Sequence, residues 1–455
     1  MRTTGSASVA ATVSSVAQRT GLRLDLVVGG AALVFVGIAT AVGLAVPNVF
    51  AAAPPLFAQW MPHVGIGTPL AILVAVVVIA WRPPLRFAYP LAVAWTFSLA
   101  LIDGWQRGIA DRLTSRDEYL HEVPGVHDIA AMLRSFSGRI LDFQPDSWTT
   151  HVAGHPPGAL LIFVWLDRLG LGGGAWAGVF VILIGSLTAF AVPWTIRSLG
   201  NTELASTVVP WPWPWRRADP ASTTRSVSTG ELASAVVPFS VLLPGAVWMG
   251  VSADGLFAGV TALAVALLVQ RHWIAWVAGG LLLGYSVFLS YGLLLFGLVA
   301  LAALVMSRRW VALGVAVVAA LAVMAAFAAS GFWWFDGYHL VVERYYQGIG
   351  ALRPYSYWVW ADLAALVLAA GPAAIAGLRR LPGSPLLLLT GAAVLAILLA
   401  DVTGLSKAEV ERIWLPFTVW LVPAAALLPA STRRWWLAAQ ALTALAVNHL
   451  VLTNW

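Results

Sequence analysis

A few ionisable side chains stand where apolar runs begin or end, and their types fit group-transfer chemistry. Asp103 directly follows the run "LAVAWTFSLALI", and Asp254 lies in the turn "GVSADGLFAG". Acids at a membrane boundary are costly unless paired or used. Either can cap a helix, which Asp does well. Two carboxylates on one side of a membrane can also form an acid/base or metal-binding pair. His151 and His155 lie in "HVAGHPPGALLIF" (151–163). There Pro156 and Pro157 suit the first turn of a helix, and the two rings are candidate ligands for a divalent metal or for substrate. "LSKAEVERIWLPF" (405–417) carries Lys407, Glu409, Glu411 and Arg412. "FDGYHLVVERYYQGIGALRPYSYW" (335–358) carries Asp336, His339, Glu343, Arg344 and Arg353 among aromatic residues. An interfacial aromatic belt with snorkelling arginines explains the second segment. An arginine fork on a lipid phosphate explains the cations of the 405–417 segment.

The elements that position these groups are membrane helices. The chain has 455 residues, 60% of them hydrophobic and 10% charged, with a mean hydropathy of +0.84. So few charges cannot cover a water-soluble surface. About 20 apolar residues cross the hydrocarbon core as a helix. Fourteen continuous apolar runs, from 26–46 to 435–452, predict an all-α polytopic protein with about 13–14 transmembrane helices. The runs do not alternate with period two, which excludes a β-barrel. With no cysteine there is no disulfide or thiol chemistry. The net charge of +6 resides in short basic pairs between runs, an orienting pattern and not a nucleic-acid footprint.

Basic clusters at Arg2/Arg19/Arg23, Arg82/Arg86, Arg271/His272, Arg308/Arg309, Arg379/Arg380 and Arg433/Arg434 predict cytoplasmic loops and a cytoplasmic N-terminus. Segments 47–65, 103–157, 251–255, 331–356 and 401–412 then face outside. If both 158–170 and 175–198 cross, the basic segment around Arg216 also lies outside, against its charge; a re-entrant 158–170 removes the conflict. The chain reads as one transmembrane domain, 1–455, with an extracytoplasmic loop at 103–156 and an inserted polar loop at 199–231. The 103–156 loop holds eight of the chain's 20 acids. Its stretches "DGWQRGIADRL" and "HDIAAMLRSFSGRIL" have the period of amphipathic helices lying on the membrane. The inserted loop carries a duplication, "TELASTVVP" (202–210) recurring as "GELASAVVP" (230–238).

Taken in order, these features resemble the GT-C superfamily of membrane glycosyltransferases. An early run ends in Asp103, a loop with juxtamembrane helices follows, and His155-Pro156-Pro157 opens the next run. "SADGLF" then presents Asp254, "GGLLLGYSVFLSYGLLLF" (279–296) follows, and a late loop bears Arg412. The resemblance covers roughly 97–417. It implies transfer of a sugar, with inversion, from a polyprenyl-phosphate donor to an extracytoplasmic glycan, glycolipid or protein of the cell envelope. It also implies that Asp103 is the catalytic acid/base, Asp254 a supporting carboxylate, Arg412 a donor-phosphate ligand, and His155 part of the cleft. His151, Arg344, Arg353 and Lys407 join it as candidate substrate-binding residues. Arg412→Ala is then expected to weaken donor use and spare the fold. Two runs precede the one ending in Asp103, and Gly104 follows it, a departure that leaves a metal optional. The competing readings are a transporter or lipid flippase, which predicts charges inside spans and internal symmetry, and a non-catalytic protein of the same architecture.

Overall fold

The computed structural model describes residues 4–200 and 228–454, with side chains from residue 21 onward. All fourteen apolar runs are helical. By length and composition, four helices can cross a membrane: Gly21–Ala45, Leu85–Asp103, Gly174–Leu199 and Trp310–Ala329. Taken together, a bent pair, Tyr355–Ala370 and Pro372–Leu378, with 111° between its halves, has the length and composition for a fifth. Shorter apolar helices, among them Gly67–Trp81, Ala253–Leu268, Trp273–Ser286 and Leu387–Val402, complete the bundle.

Small residues let the helices approach closely. A Cβ on Gly280 would stand 2.7 Å from the Ala316 Cα, and one on Gly284 would stand 2.6 Å from the Ala320 Cα. Glycines spaced by four thus seat Trp273–Ser286 directly on the alanine face of Trp310–Ala329. The bent pair breaks at Gly371, whose φ of 85° suits glycine. Backbone groups freed at a break inside a bilayer need partners. Gln440, fully buried, supplies them: its Nε2 donates to the Ala370 carbonyl (2.9 Å) and its Oε1 accepts from the Ala373 N–H (3.1 Å).

The two ends of the bundle differ. At one end the polar segments gather. A strand β1 (Ala58–Trp60) pairs antiparallel with β2 (Val451–Thr453), Phe57 N–H donates to Glu411 (2.9 Å), and Arg344 pairs with Asp142 (2.7 Å). At the other end arginines gather. Arg379 and Arg380 both bind the buried Asp25, and Arg82 lies within electrostatic reach of Arg433, as Arg271 does of Arg309.

The Pro157–Arg168 helix stays at the loop end. Its 12 residues rise about 18 Å, short of the ~30 Å hydrocarbon core. Phe163 in its middle stacks on Tyr119, and Arg168 in its last turn donates to the carbonyls of Val126 and His127. Its middle and its last turn therefore meet the same loop. Gly174–Leu199 then runs towards the arginine end, where Ser198 bonds Gln270, the neighbour of Arg271; the basic segment around Arg216 lies outside the described residues. The first duplicate, 202–210, lies outside the described residues. The second opens the Thr229–Val241 helix with a capping box between Ser228 and Glu231.

In the 103–156 loop, Asp128 caps the helix Ile129–Ser135 through the N–H groups of Ala130 and Ala131. Its apolar face does not rest on lipid. Phe136 and Ile140 are buried, with Phe136 packed on Trp148 and Phe332. The loop is a folded cap with its own packed interior, while Trp105 and Phe143 stay exposed.

Candidate functional site

Asp254 is in the first turn of Ala253–Leu268, where a carboxylate complements the helix dipole. Gly185 abuts Gly255, and at the far end Gln270 bonds Ser198. The Asp254 helix therefore begins level with the middle of Gly174–Leu199, about 16 Å below the start of that helix. The 103–156 cap and the 405–412 segment reach down to meet it.

The centre they form is a chain of charges. Arg412 Nη1 donates to Asp254 Oδ2 (2.5 Å), while its Nη2 donates to Glu409 Oε2 (2.6 Å) and faces His151 Nε2 (3.3 Å). Because a guanidinium only donates, His151 Nε2 accepts and its Nδ1–H donates to Glu118 Oε1 (2.9 Å). Glu409 Oε1 receives Arg353 (3.2 Å), whose Nη1 also donates to the Lys407 carbonyl (2.7 Å). Lys407 Nζ returns a bond to the Arg353 carbonyl (3.1 Å) and lies over the rings of Tyr345 and Tyr346. Ala408 and Glu409 both have left-handed backbone, φ 67° and 65°. Two such non-glycine residues in succession carry strain, and the turn they make aims Glu409 between the two arginines.

Asp254, Glu118, Arg353 and Arg412 are all buried. Charges taken from water persist only when paired and hydrogen-bonded. Burial opposes the charge on Arg412, but Asp254, Glu409 and Glu118 outweigh it, and the guanidinium holds its proton more firmly than usual. Burial pushes Glu409 up, while Arg412 and Arg353 more than offset this and keep its carboxyl low. Burial drives the His155 imidazole down to about 4, against the pull of Asp254, so the ring is neutral at ordinary pH.

The structure brings Asp254, His151, His155, Arg353, Lys407 and Arg412 together. It places Asp103 and Arg344 elsewhere. Asp103 Oδ1 binds His63 Nε2 (2.6 Å) and Oδ2 binds Arg112, which also donates to the Thr453 carbonyl (2.6 Å). Among the described residues, the hydrogen-bond partners of Asp103, His63 and Arg112, are not those of Asp254. Arg344 pins Asp142. Glu118 and Tyr119 belong to the centre without having been singled out in the sequence, and Glu409, named there beside Arg412, had been given no role. Their signal, an acid-rich loop and an acid beside Lys407, is too common to select them.

The histidines do not converge on a metal. His155 Nδ1 donates to the His151 carbonyl (2.8 Å), and His151 is engaged by Glu118 and Arg412. Among the described residues no three His, Asp or Glu side chains gather as a metal-binding set. The donor set does not fit a divalent ion.

No family model matches the sequence, and no curated protein does either. Among solved structures the chain is similar to the crystal structure of ArnT from Cupriavidus metallidurans in the apo state. The identity is 17% and the TM-score 0.43, over 76% of this chain and 60% of that one. The chain thus spans less than two thirds of the protein it resembles, and a functional reading rests on the geometry of its own site.

Proposed function

We propose that the protein is a membrane glycosyltransferase that moves a sugar from a polyprenyl-phosphate donor to a hydroxyl-bearing acceptor, with its centre at Asp254 on the extracytoplasmic side. One observation carries this reading. Asp254 has one oxygen locked by Arg412, while the other makes no hydrogen bond among the described residues. A fixed carboxylate with one open oxygen suits a general base.

In the reaction the acceptor hydroxyl oxygen attacks the anomeric carbon, and its proton passes to Asp254 Oδ1. The bond from that carbon to the donor phosphate breaks, and its electron pair leaves on the polyprenyl phosphate. Charge therefore grows on the phosphate in the transition state, where nearby cations act most strongly. Lys407 bonds one carbonyl through an ammonium that carries three N–H donors, so it is the residue assigned to that phosphate. Arg353 and Arg412 hold the acids in place around it. Asp103, with one oxygen on His63 and the other on Arg112, is assigned to holding the cap, as is Arg344.

The test uses membranes containing wild type or Asp254→Asn, a mixture of radiolabelled polyprenyl-phosphate sugars, and cell-envelope acceptors. Label should enter glycan with wild type alone. Equal transfer by both proteins removes Asp254 from the reaction. Absence of transfer from every donor, together with movement of labelled lipid across the bilayer, supports the transporter reading instead.

A further inference from the structure

Two cavities meet on one flank of the bundle. The upper one, about 490 Å³, lies at the loop end between the 103–156 cap and the last turns of Pro157–Arg168. The lower one, about 260 Å³, is a groove lined by apolar residues alone. Leu166 borders both. On Gly174–Leu199, Ala177 borders the upper cavity, and Phe180 and Ile184 border the groove. Residues three and seven positions on share a helix face, so one face of that helix runs from the cavity into the groove. Leu256 and Val260, four apart on the Asp254 helix, continue the groove away from the loop end. Ala177 to Ile184 is a rise of about 10 Å, and Leu256 to Val260 one of about 6 Å. Together they make about half of the ~30 Å hydrocarbon core, the depth of one leaflet. Trp165 and Leu169 at the groove's edge are exposed, so the groove opens towards lipid.

The upper cavity sets the chemistry of the headgroup. Asp167, His121 and Thr114 line it, with the Gly172-Gly173 turn. Among the described residues no hydrogen bond reaches the side chains of Asp167 or His121, and the N–H groups of Gly172 and Gly173 have no partner. Asp167 is aimed by packing, since its Oδ1 would stand 2.3 Å from a Cβ on Gly172. No lysine or arginine lines the cavity, so a phosphate there would face a carboxylate without a cation to offset it. An ammonium group has no lone pair for the glycine N–H groups, which stand at the positive end of the following helix. A hydroxyl can donate to Asp167 and accept from an N–H. We propose that the two cavities form one slot for a glycolipid with a neutral sugar headgroup, its hydrocarbon chain in the groove and its hydroxyls on Asp167, His121 and the glycine turn. It is a second lipid, because Lys407, assigned above to the donor phosphate, borders neither cavity. Phe163 in the cavity wall stacks on Tyr119 (5.3 Å), and Tyr119 stacks on His151 (6.2 Å), so two stacked ring pairs join the headgroup cavity to the Asp254 centre. The proposal goes beyond the reading of Asp254 and does not depend on it.

Native mass spectrometry of the full chain, released from a polyoxyethylene detergent that carries no sugar, tests it by counting bound lipids. The probes are monoglucosyl diacylglycerol, phosphatidylglycerol and diacylglycerol with identical acyl chains. Wild type should bind one glucosyl lipid with a Kd about tenfold below that of either other probe. Asp167→Ala, at an exposed position, should keep the lipid-free Tm and weaken glucosyl lipid binding about tenfold. Ile184→Phe, which fills the groove, should weaken binding of the glucosyl lipid and of diacylglycerol alike. The proposal is overturned if phosphatidylglycerol or diacylglycerol binds as tightly as the glucosyl lipid, or if both variants bind it like wild type. Should Ile184→Phe fail to fold, undiminished binding by Asp167→Ala overturns it alone. None of these measurements requires sugar transfer, so the slot and the glycosyltransferase reading fail separately.

Discussion

Asp103 and Asp254 are both buried carboxylates at helix ends, both near the loop end, and both bonded to an arginine. They differ in what is left over. Each oxygen of Asp103 is taken, and its partners reach the β1–β2 pair through Arg112 and the Thr453 carbonyl. Asp254 keeps an oxygen open, and its arginine is shared with Glu409 and His151. Burial and ion pairing therefore do not mark a reactive acid. On the proposed reading, a carboxylate with a partner on each oxygen is a fastening, and one that is held by a single oxygen can still take a proton.

The largest effect that separates the two is on Asp254. Asp254→Asn should lower sugar transfer by about 10³-fold, the range for loss of a general base, with folded protein still recovered from detergent by size-exclusion chromatography. Arg412→Ala should act on the fold. It leaves Asp254 and Glu409 buried beside a missing cation, at a cost of about 3–5 kcal/mol, measured by denaturant unfolding in detergent. Asp103→Asn should cost about 2–3 kcal/mol by weakening the grip on His63 and Arg112, while transfer per folded molecule changes less than twofold; a stable but inactive variant would reverse the assignment. Gln440→Leu, away from both acids, should cost about 2 kcal/mol by orphaning the Ala370 carbonyl and the Ala373 N–H, without altering either cluster's chemistry.

The smallest effect concerns Glu411, next to Arg412 and fully buried. Burial lifts its carboxyl from 4.5 to about 7, against the pull of the Phe57 N–H. A raised folded-state value means that the folded protein binds the proton more tightly than the unfolded chain. The stability this gives is complete below 4.5 and is lost as pH rises to about 7. Glu411→Gln should remove that slope and unfold later than wild type at pH 8, by about 1–2 kcal/mol. An unchanged pH slope would show that Glu411 is ionised in the fold.

Hydropathy made the helical runs legible, and charge made the two ends legible, because both are local properties of the chain. Asp254 and Arg412 were also visible, as an acid and a cation at apolar boundaries on one inferred side. What the sequence does not carry is pairing across distance. His63 lies 40 residues from Asp103, and Phe57 lies 354 from Glu411, so neither contact has a local sign. For the same reason Arg412 reads as an outward phosphate ligand whose loss spares the fold, whereas its buried partners make it structural as well. Run 357–377 reads as one span, yet it bends by 111°. The Gly371-Pro372 pair is the available sign of that break. Run 158–170 was ambiguous because hydropathy sees an apolar stretch and not the loop that covers it.

The most direct measurement compares transfer per folded molecule for Asp254→Asn and Asp103→Asn in the same membranes with the same labelled donors. The account predicts that transfer is lost at 254 and kept at 103, with the Tm lowered at 103. Full activity in Asp254→Asn, or loss confined to Asp103→Asn at an unchanged Tm, would contradict it.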